Sequence, residues 1–316
     1  MSEPVLEPVV AGFIEATRDQ PSIHLLGAEV GRKAIDDVQS PAVDVPGTEA
    51  EDLVVPGGPT GEVPVRLVRP SGARGPLPVV VYLHGGGWVF GGPHSHDRLV
   101  RELALGSGAA VVFVDYALSP EARYPTALDQ AREVVRWVAR EGAEHGLDPA
   151  RIALAGDSAG GNMATVVART AAEQGLPHLA GELLFYPATD AACDTDSYRR
   201  FADSYFLSRD AIRWCWEQYL GGADPADGSA SPLRADTRDL AVLPRTLVIT
   251  AEADVARDDG ELYAARLREA GVEVEAERYD GVIHDFVLLN ALRETPSAGE
   301  AIERASAFLA EVLRTR

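Results

Sequence analysis

Short apolar runs alternate with longer amphipathic stretches along most of this chain. Runs at 78–83, 109–114, 151–155, 181–186 and 247–250 are flanked by Gly, Pro or polar residues and read as strands. Helices are predicted between and after them, over about 95–106, 126–145, 158–174 and 258–270, and a strand at 272–279 and a helix over about 297–314 follow. Strands alternating with helices predict a mostly parallel sheet with helices on both faces. The strands are continuous apolar runs, as strands covered on both sides must be. Upstream, Leu53–Val55 and Val63–Val68 read as two strands joined by the Pro/Gly-rich turn 56–61. Residues 1 to about 45 read as helical, with Val9, Phe13 and Ile14, then Leu25, Leu26 and Val30, at helical spacings. The rhythm breaks after Pro187. Residues 188 to about 230 hold no strand of the same kind; Ser208 reads as an N-cap, and a helix with Ile212, Trp214, Trp216 and Tyr219 stops at Gly221. This stretch is an insertion between two strands of the sheet.

The polar residues of interest fall just after predicted strands. Strand 151–155 runs into Gly156-Asp157-Ser158-Ala159-Gly160-Gly161, a sharp strand-to-helix turn with small flanking residues and a serine at its tip. Such a nucleophile elbow presents a serine hydroxyl at the N-terminus of a helix. Strand 78–83 runs into His84-Gly85-Gly86-Gly87-Trp88. Three consecutive glycines cost backbone entropy and suit a loop whose N–H groups approach a ligand, as an oxyanion hole requires. A serine nucleophile needs a histidine base, and the base needs a carboxylate to orient it. Among the late histidines His284, after the last strand, fits the base. Asp254 fits the acid better than Glu252, which leaves the strand too early, or Asp258 and Asp259, which suit the first turn of a helix. Asp285 reads as a loop or substrate-pocket residue, because a sequence neighbour rarely faces the same way as the base. His84 is expected to orient the glycine loop by a hydrogen bond. The pair His94 and His96 has no ligand cluster beside it and reads as loop or helix-start residues. In open α/β sheets ligands bind outside the carboxyl ends of the strands, so these residues converge on one sheet edge.

Charge and composition narrow the partners. The net charge of −20 argues against nucleic acid and anionic membrane. An apolar content of 46% is ample for a core. Cys193 and Cys215 make no disulfide framework and are expected as free thiols in a reducing cytoplasm. The start of the chain has no basic segment followed by a long apolar one, and no run approaches a membrane span. A cytoplasmic protein is expected.

Together, His84 to Trp88, Gly156 to Asn162, Asp254 to Gly260 and His284 resemble the hormone-sensitive-lipase-like (bacterial family IV) carboxylesterases of the α/β-hydrolase superfamily. Asp115 to Glu121, Tyr124 to Leu128 and Ser231 to Arg234 resemble further stretches of that family. The resemblance covers roughly residues 50–316. It implies an α/β-hydrolase fold with a mostly parallel central sheet flanked by helices and a helical cap. The division is then 1–50, N-terminal helical part of the cap; 51–187, core; 188–225, cap insertion; and 226–316, core. It implies Ser158 as nucleophile, Asp254 as acid and His284 as base, with the backbone N–H groups of Gly85, Gly86 and Ala159 as oxyanion donors and no metal or organic cofactor. The candidate pocket residues are Trp88, Asp157, Tyr186, Phe206, Asp285 and Phe286. Trp214, Trp216, Tyr198 and Phe206 would wall an apolar acyl pocket, or, for the two tryptophans, form the core of the cap. Val255-Ala256 stands where Pro-Leu is usual after the acid, and Asp285 where Gly is common after the base; both bear on pocket shape. The expected reaction is hydrolysis of short- to medium-chain esters, a small-molecule substrate class. An amidase, a deacetylase of a small acetylated metabolite, and a non-catalytic ligand-binding relative are the alternatives. A homodimer through the last strand and helix is compatible with the resemblance.

Overall fold

The computed structural model describes residues 3–171, 175–203 and 205–314. Among these, eight strands are Thr48–Pro56 (β1), Glu62–Pro70 (β2), Leu77–Leu83 (β3), Ala110–Val114 (β4), Leu147–Asp157 (β5), Leu179–Phe185 (β6), Thr246–Ala253 (β7) and Val274–Ile283 (β8). They form one sheet in the order β1-β2-β4-β3-β5-β6-β7-β8. β2 is antiparallel to β1 and to β4, and every other pairing is parallel. The α-helices are Pro8–Thr17 (α1), Gly27–Val38 (α2), Asp97–Ser107 (α3), Thr126–Glu141 (α4), Ala159–Ala171 (α5), Asp196–Arg200 (α6), Arg209–Leu220 (α7), Thr237–Leu240 (α8), Arg257–Glu269 (α9) and Pro296–Val312 (α10). The last three positions of the predicted helix 158–174 lie outside the described residues. No helix among the described residues is long and apolar enough to cross a membrane.

Connection handedness explains the layering. From β3 the chain passes through α3 to β4 on one side, then through α4 to β5 on the other. Right-handed crossovers in opposite directions put α3 and α4 on opposite faces of the sheet. α5 and α9 continue in the direction of α4, while α10 packs against α3. The apolar runs of β3 and β4 are therefore covered twice, and Val79 to Leu83 and Ala110 to Val114 are fully buried. The direction of travel reverses at β3 and β5, which are hydrogen-bonded neighbours, Leu83 pairing with Gly156. A crevice at such a reversal is where an open α/β sheet binds its ligand. The glycine loop and the serine turn leave from these two strand ends.

The strand ends differ from the predicted ones where it matters for the site. β7 runs on to Ala253, so Asp254 follows the strand directly. β8 was predicted to end at 279 but continues to Ile283 through an irregularity: Ala251 pairs with Tyr279, whereas Ala253 pairs with Ile283. Gly281 takes φ +72° there, and its N–H donates to Glu252 Oε2 at 2.9 Å. His284 therefore leaves from a strand end and not from a loop. The helical reading of the N-terminal region meets α1 and α2, joined by a 3-10 turn over Ile23–Leu26. Its phase differs: Val9, Leu25 and Val30 face solvent, and Val10 is buried. In the insertion, Ser208 Oγ accepts from the Ala211 N–H at 3.2 Å and Gly221 ends α7 in the left-handed region. Ile212, Cys215, Trp216 and Tyr219 of α7 form its buried stripe.

Candidate active site

The serine turn is built by backbone strain that its surroundings fix. Ser158 has φ +52°, unusual for a residue with a side chain. Its N–H donates to Phe185 O at 2.9 Å, and its carbonyl accepts from the N–H groups of Asn162 at 3.1 Å and Ala188 at 3.2 Å. Strain of this kind persists where neighbours over-determine it. Gly160 is required by close approach: a Cβ there would collide with the backbone of Leu83. The turn aims the hydroxyl at His284, and Ser158 Oγ donates to His284 Nε2 at 2.9 Å. On the far side of the ring, Nδ1–H donates to Asp254 Oδ2 at 2.7 Å. Asp254 Oδ1 accepts from the Ala256 N–H at 2.8 Å, which holds the carboxylate in its turn. All three residues are buried. Burial acts against a charged His284, but the Asp254 and Asp285 carboxylates outweigh it and raise its pKa to about 9.

The segment after the base is clamped. The Asp285 carbonyl accepts from the N–H groups of Leu288 and Leu289, each at 2.8 Å. The buried Arg98 guanidinium donates to the carbonyls of Val287 and Leu288 and to Asn290 Oδ1. Gln39, at the end of α2, donates to Leu288 O at 2.9 Å and accepts from the Asn290 N–H at 2.9 Å.

The other carboxylates near Asp254 are occupied elsewhere. Glu252 holds Gly281, as above. Asp258 Oδ2 accepts from the Ser197 N–H at 2.8 Å. Asp259 Oδ2 accepts from the N–H groups of Thr189 and Asp190 and from the Tyr198 hydroxyl.

The glycine loop corrects one assignment. The Gly85 N–H donates to Asp157 Oδ1 at 3.0 Å, so it is unavailable to an oxyanion. The N–H groups of Gly86 and Gly87 make no hydrogen bond among the described residues, and both glycines line the cavity beside Ser158 and His284. Gly86 has φ +96°, and a Cβ on it would run into the backbone of Phe90. His84 is buried, its Nδ1–H donating to Gly85 O at 2.8 Å and its ring stacked on Tyr116 at 4.0 Å. Burial and the neighbouring His96 push its pKa down to about 3, so it is neutral.

The expected pocket residues divide. Phe206 and Asp285 line a cavity of about 730 Å³ over Ser158 and His284. The other four do not. Asp157 is fully buried below the loop, accepting from Gly85 and from the Tyr82 hydroxyl at 2.7 Å, with His96 Nε2 at 3.3 Å from its other oxygen. Burial works to raise its pKa, but His96 and the Tyr82 hydroxyl prevail and lower it. Trp88 is packed between the loop and α7, stacked on Tyr219 with ring centroids 4.2 Å apart. Tyr186 is buried against the His284 ring at 4.7 Å, and Phe286 is buried against Tyr186 and Tyr279. Trp88 and Tyr186 themselves take positive φ, +60° and +34°, and Phe286 follows Asp285 at φ +63°, so a reversing backbone directs each ring into the core. Trp216 packs on Trp88, Trp214 stacks with Phe90, and Tyr198 reaches Asp259, so none of these three lines the cavity.

Much of the cavity wall comes from α1, α2 and the turn between them, through Ile14, Ile23, Leu26, Ala34, Ile35 and Val38, facing Phe90, Ile212 and Cys215. Exposed Arg18, Gln20, Asp203 and Asp210 lie at its solvent end. These wall residues were not singled out in the sequence. The available signal was the apolar stripe Ala34, Ile35 and Val38 on an otherwise charged helix. Two further residues were missed: His96 and Tyr82, which with Asp157 form the buried support of the glycine loop. Cys193 and Cys215 are free and buried, and burial pushes both thiols up to about 12.

The chain is similar in sequence and fold to known hydrolases. A family model described as alpha/beta hydrolase fold matches residues 80–288. Carboxylesterase NlhH of Mycobacterium tuberculosis is 41% identical over 289 residues, covering 91% of this chain and 90% of that protein. An ethyl acetate hydrolase of Pseudomonas putida is 37% identical over 243 residues, covering 75% of each. Among solved structures, a thermostable esterase from Pseudomonas putida ECU1011 superposes with a TM-score of 0.96 at 42% identity over the whole of both chains.

Proposed function

The chain belongs to the hormone-sensitive-lipase-like branch of the α/β hydrolases, and from that premise we propose that it is a serine carboxylesterase working through Ser158, His284 and Asp254. One observation carries the mechanism: Ser158 Oγ, His284 and Asp254 stand in an unbroken hydrogen-bonded line at the base of an apolar cavity. His284 takes the Ser158 proton as the oxygen attacks the acyl carbonyl, and Asp254 holds the tautomer and stabilises the imidazolium. The N–H groups of Gly86, Gly87 and Ala159 receive the oxyanion, preorganised so that no solvent need reorient. His284 then protonates the leaving alcohol. Water, activated by the same nitrogen, releases the acid from the acyl-enzyme.

The cavity supports short- to medium-chain acyl groups. Its volume falls within the range of about 300–1,000 Å³ usual for small-molecule sites, and its walls are mostly apolar. The name of the Pseudomonas relative, an ethyl acetate hydrolase, favours the short end. α1, α2, Phe206 and α7 act as the cap, because they roof the cavity, and the N-terminal part of the cap ends before residue 50, where β1 already runs from Thr48.

Turnover of chromogenic esters from acetyl to dodecanoyl, with Ser158→Ala as control, tests the reading. Hydrolysis by the wild type peaking at or below octanoyl and abolished in the variant is expected. Equal rates for wild type and variant would overturn it.

A further inference from the structure

Asp285 holds a carboxylate at the reacting end of the cavity, within ion-pair range of His284 but with Oδ1 hydrogen-bonded to none of the described residues. Its Oδ1 is buried and makes no hydrogen bond among the described residues. The side chain is 21% exposed and lines the cavity with Ser158 and His284. The residue has φ +63°, a conformation in which glycine would carry no steric cost. The backbone turn does not use the carboxylate, since it is the main-chain carbonyl that accepts from Leu288 and Leu289. An ionised oxygen without a hydrogen bond in a buried site is costly, and the His284 ring, at 3.7 Å, is an ion-pair neighbour beyond hydrogen-bond reach.

Its location fixes what it would meet. Asp285 Oδ1 lies 3.7 Å from His284 Nε2. That nitrogen faces Ser158 Oγ on attack and must come within hydrogen-bond reach of the leaving oxygen to protonate it. A carboxylate so close to Nε2 therefore lies within a bond or two of the alcohol part of the substrate, away from the acyl chain. We propose that Asp285 is a specificity-determining residue that selects esters whose alcohol carries a hydroxyl or ammonium donor on the carbon next to the ester-bearing carbon, and that rejects esters of anionic alcohols. The inference rests on the esterase reading and names the alcohol class within it. A hydrogen bond to an ionised acceptor supplies about tenfold discrimination or more, and a like charge at similar range disfavours binding.

Three butyrate esters separate the terms: 2-hydroxyethyl, propyl and 2-carboxyethyl. Their kcat/KM values are measured by pH-stat at pH 8 for the wild type, Asp285→Asn and Asp285→Gly. Asn tolerates the left-handed backbone and Gly favours it, so neither change strains the turn. The wild type is expected to prefer the hydroxyethyl ester to the propyl ester by roughly tenfold and to disfavour the carboxyethyl ester by at least as much. In both variants the carboxyethyl-to-propyl ratio should rise at least tenfold, and in Asp285→Gly the hydroxyethyl preference should vanish. Ratios unchanged in both variants, whatever happens to overall turnover, would overturn the proposal alone. Failure of the wild type on all three esters, with Ser158→Ala no different, would overturn the esterase reading and the proposal with it.

Discussion

Asp157 accepts the amide proton of Gly85 at 3.0 Å across two neighbouring strand ends. The residue before the nucleophile thus anchors the loop that is to hold the oxyanion. The same carboxylate takes the Tyr82 hydroxyl and faces His96 Nε2, so three buried groups depend on it. Truncating Asp157→Ala strands them, and an unsatisfied buried group costs about 1–3 kcal/mol. Asp157→Ala is expected to lower kcat on a butyrate ester by roughly 10²- to 10³-fold and to lower the melting temperature by several degrees. Asp157→Asn keeps an acceptor oxygen for Gly85 and should retain more activity than the alanine variant. An alanine variant as active as wild type would show that the loop stands without this anchor.

The pH profile follows from the carboxylates around His284. The base must be neutral to accept the serine proton. With its pKa raised to about 9, the neutral fraction grows as pH rises, so kcat/KM should climb through neutral pH and level off near or above 9. Asp285→Asn removes one of the carboxylates that favour the imidazolium, and it should move the rising limb to lower pH. A limb near 6.5 in both proteins would contradict the effect assigned to the carboxylates.

The wall from α2 sets the depth available to the acyl chain. Ile35→Trp fills the cavity from that side. The ratio of octanoyl to acetyl turnover is expected to fall at least tenfold, in line with the cost of overpacking by about 1–3 kcal/mol. A parallel loss on both esters would instead mean that the helix has shifted as a body.

Glu182 on β6 is fully buried, with Oε2 accepting from the Thr246 hydroxyl and Oε1 making no hydrogen bond among the described residues. Burial raises its pKa to about 8, against 4.5 as the ordinary value. The folded chain holds the proton that the unfolded chain releases above 4.5, so this group disfavours folding increasingly as pH rises from 4.5 to about 8. Glu182→Gln keeps the carbonyl acceptor and cannot ionise. Its stability relative to wild type should therefore improve by a few kcal/mol between pH 5 and pH 9, an order of magnitude set by the pKa shift, as read from melting temperatures at the two pH values. A difference that does not change with pH would contradict the shifted titration.

The strand-and-turn grammar of this chain was legible because apolar runs and glycine-bounded turns are local signals. Ser208 and Gly221 mark the ends of α7 by chemistry that acts within a single turn. The convergence of Ser158, Asp254 and His284 was legible too, since each follows one of the parallel strands of a single sheet. Contacts between elements were not. That the Gly85 N–H turns to Asp157 depends on the register of β3 against β5, which no local pattern encodes. The extension of β8 past Tyr279 was hidden by Asp280-Gly281, a turn-like pair that the strand carries through an irregular pairing. Trp88 and Phe286 sit beside the motifs in sequence and Tyr186 follows β6, yet the reversing backbone buries all three. The cavity wall from α1 and α2 arises from docking of a segment distant in sequence from the serine.

The pairing of Leu83 with Gly156 has a consequence for heat inactivation. The glycine loop and the nucleophile are held apart by one rung of a hydrogen-bonded ladder, so their spacing is a property of the central sheet. The roof contributed by α1 and α2 rests on packing, on Arg32 hydrogen bonds to the carbonyls of Val89 and Ser119, and on the Gln39 contacts at its end. On warming, discrimination among acyl lengths should therefore blur before the power to cleave the simplest acetate is lost, with the second loss coinciding with melting of the sheet.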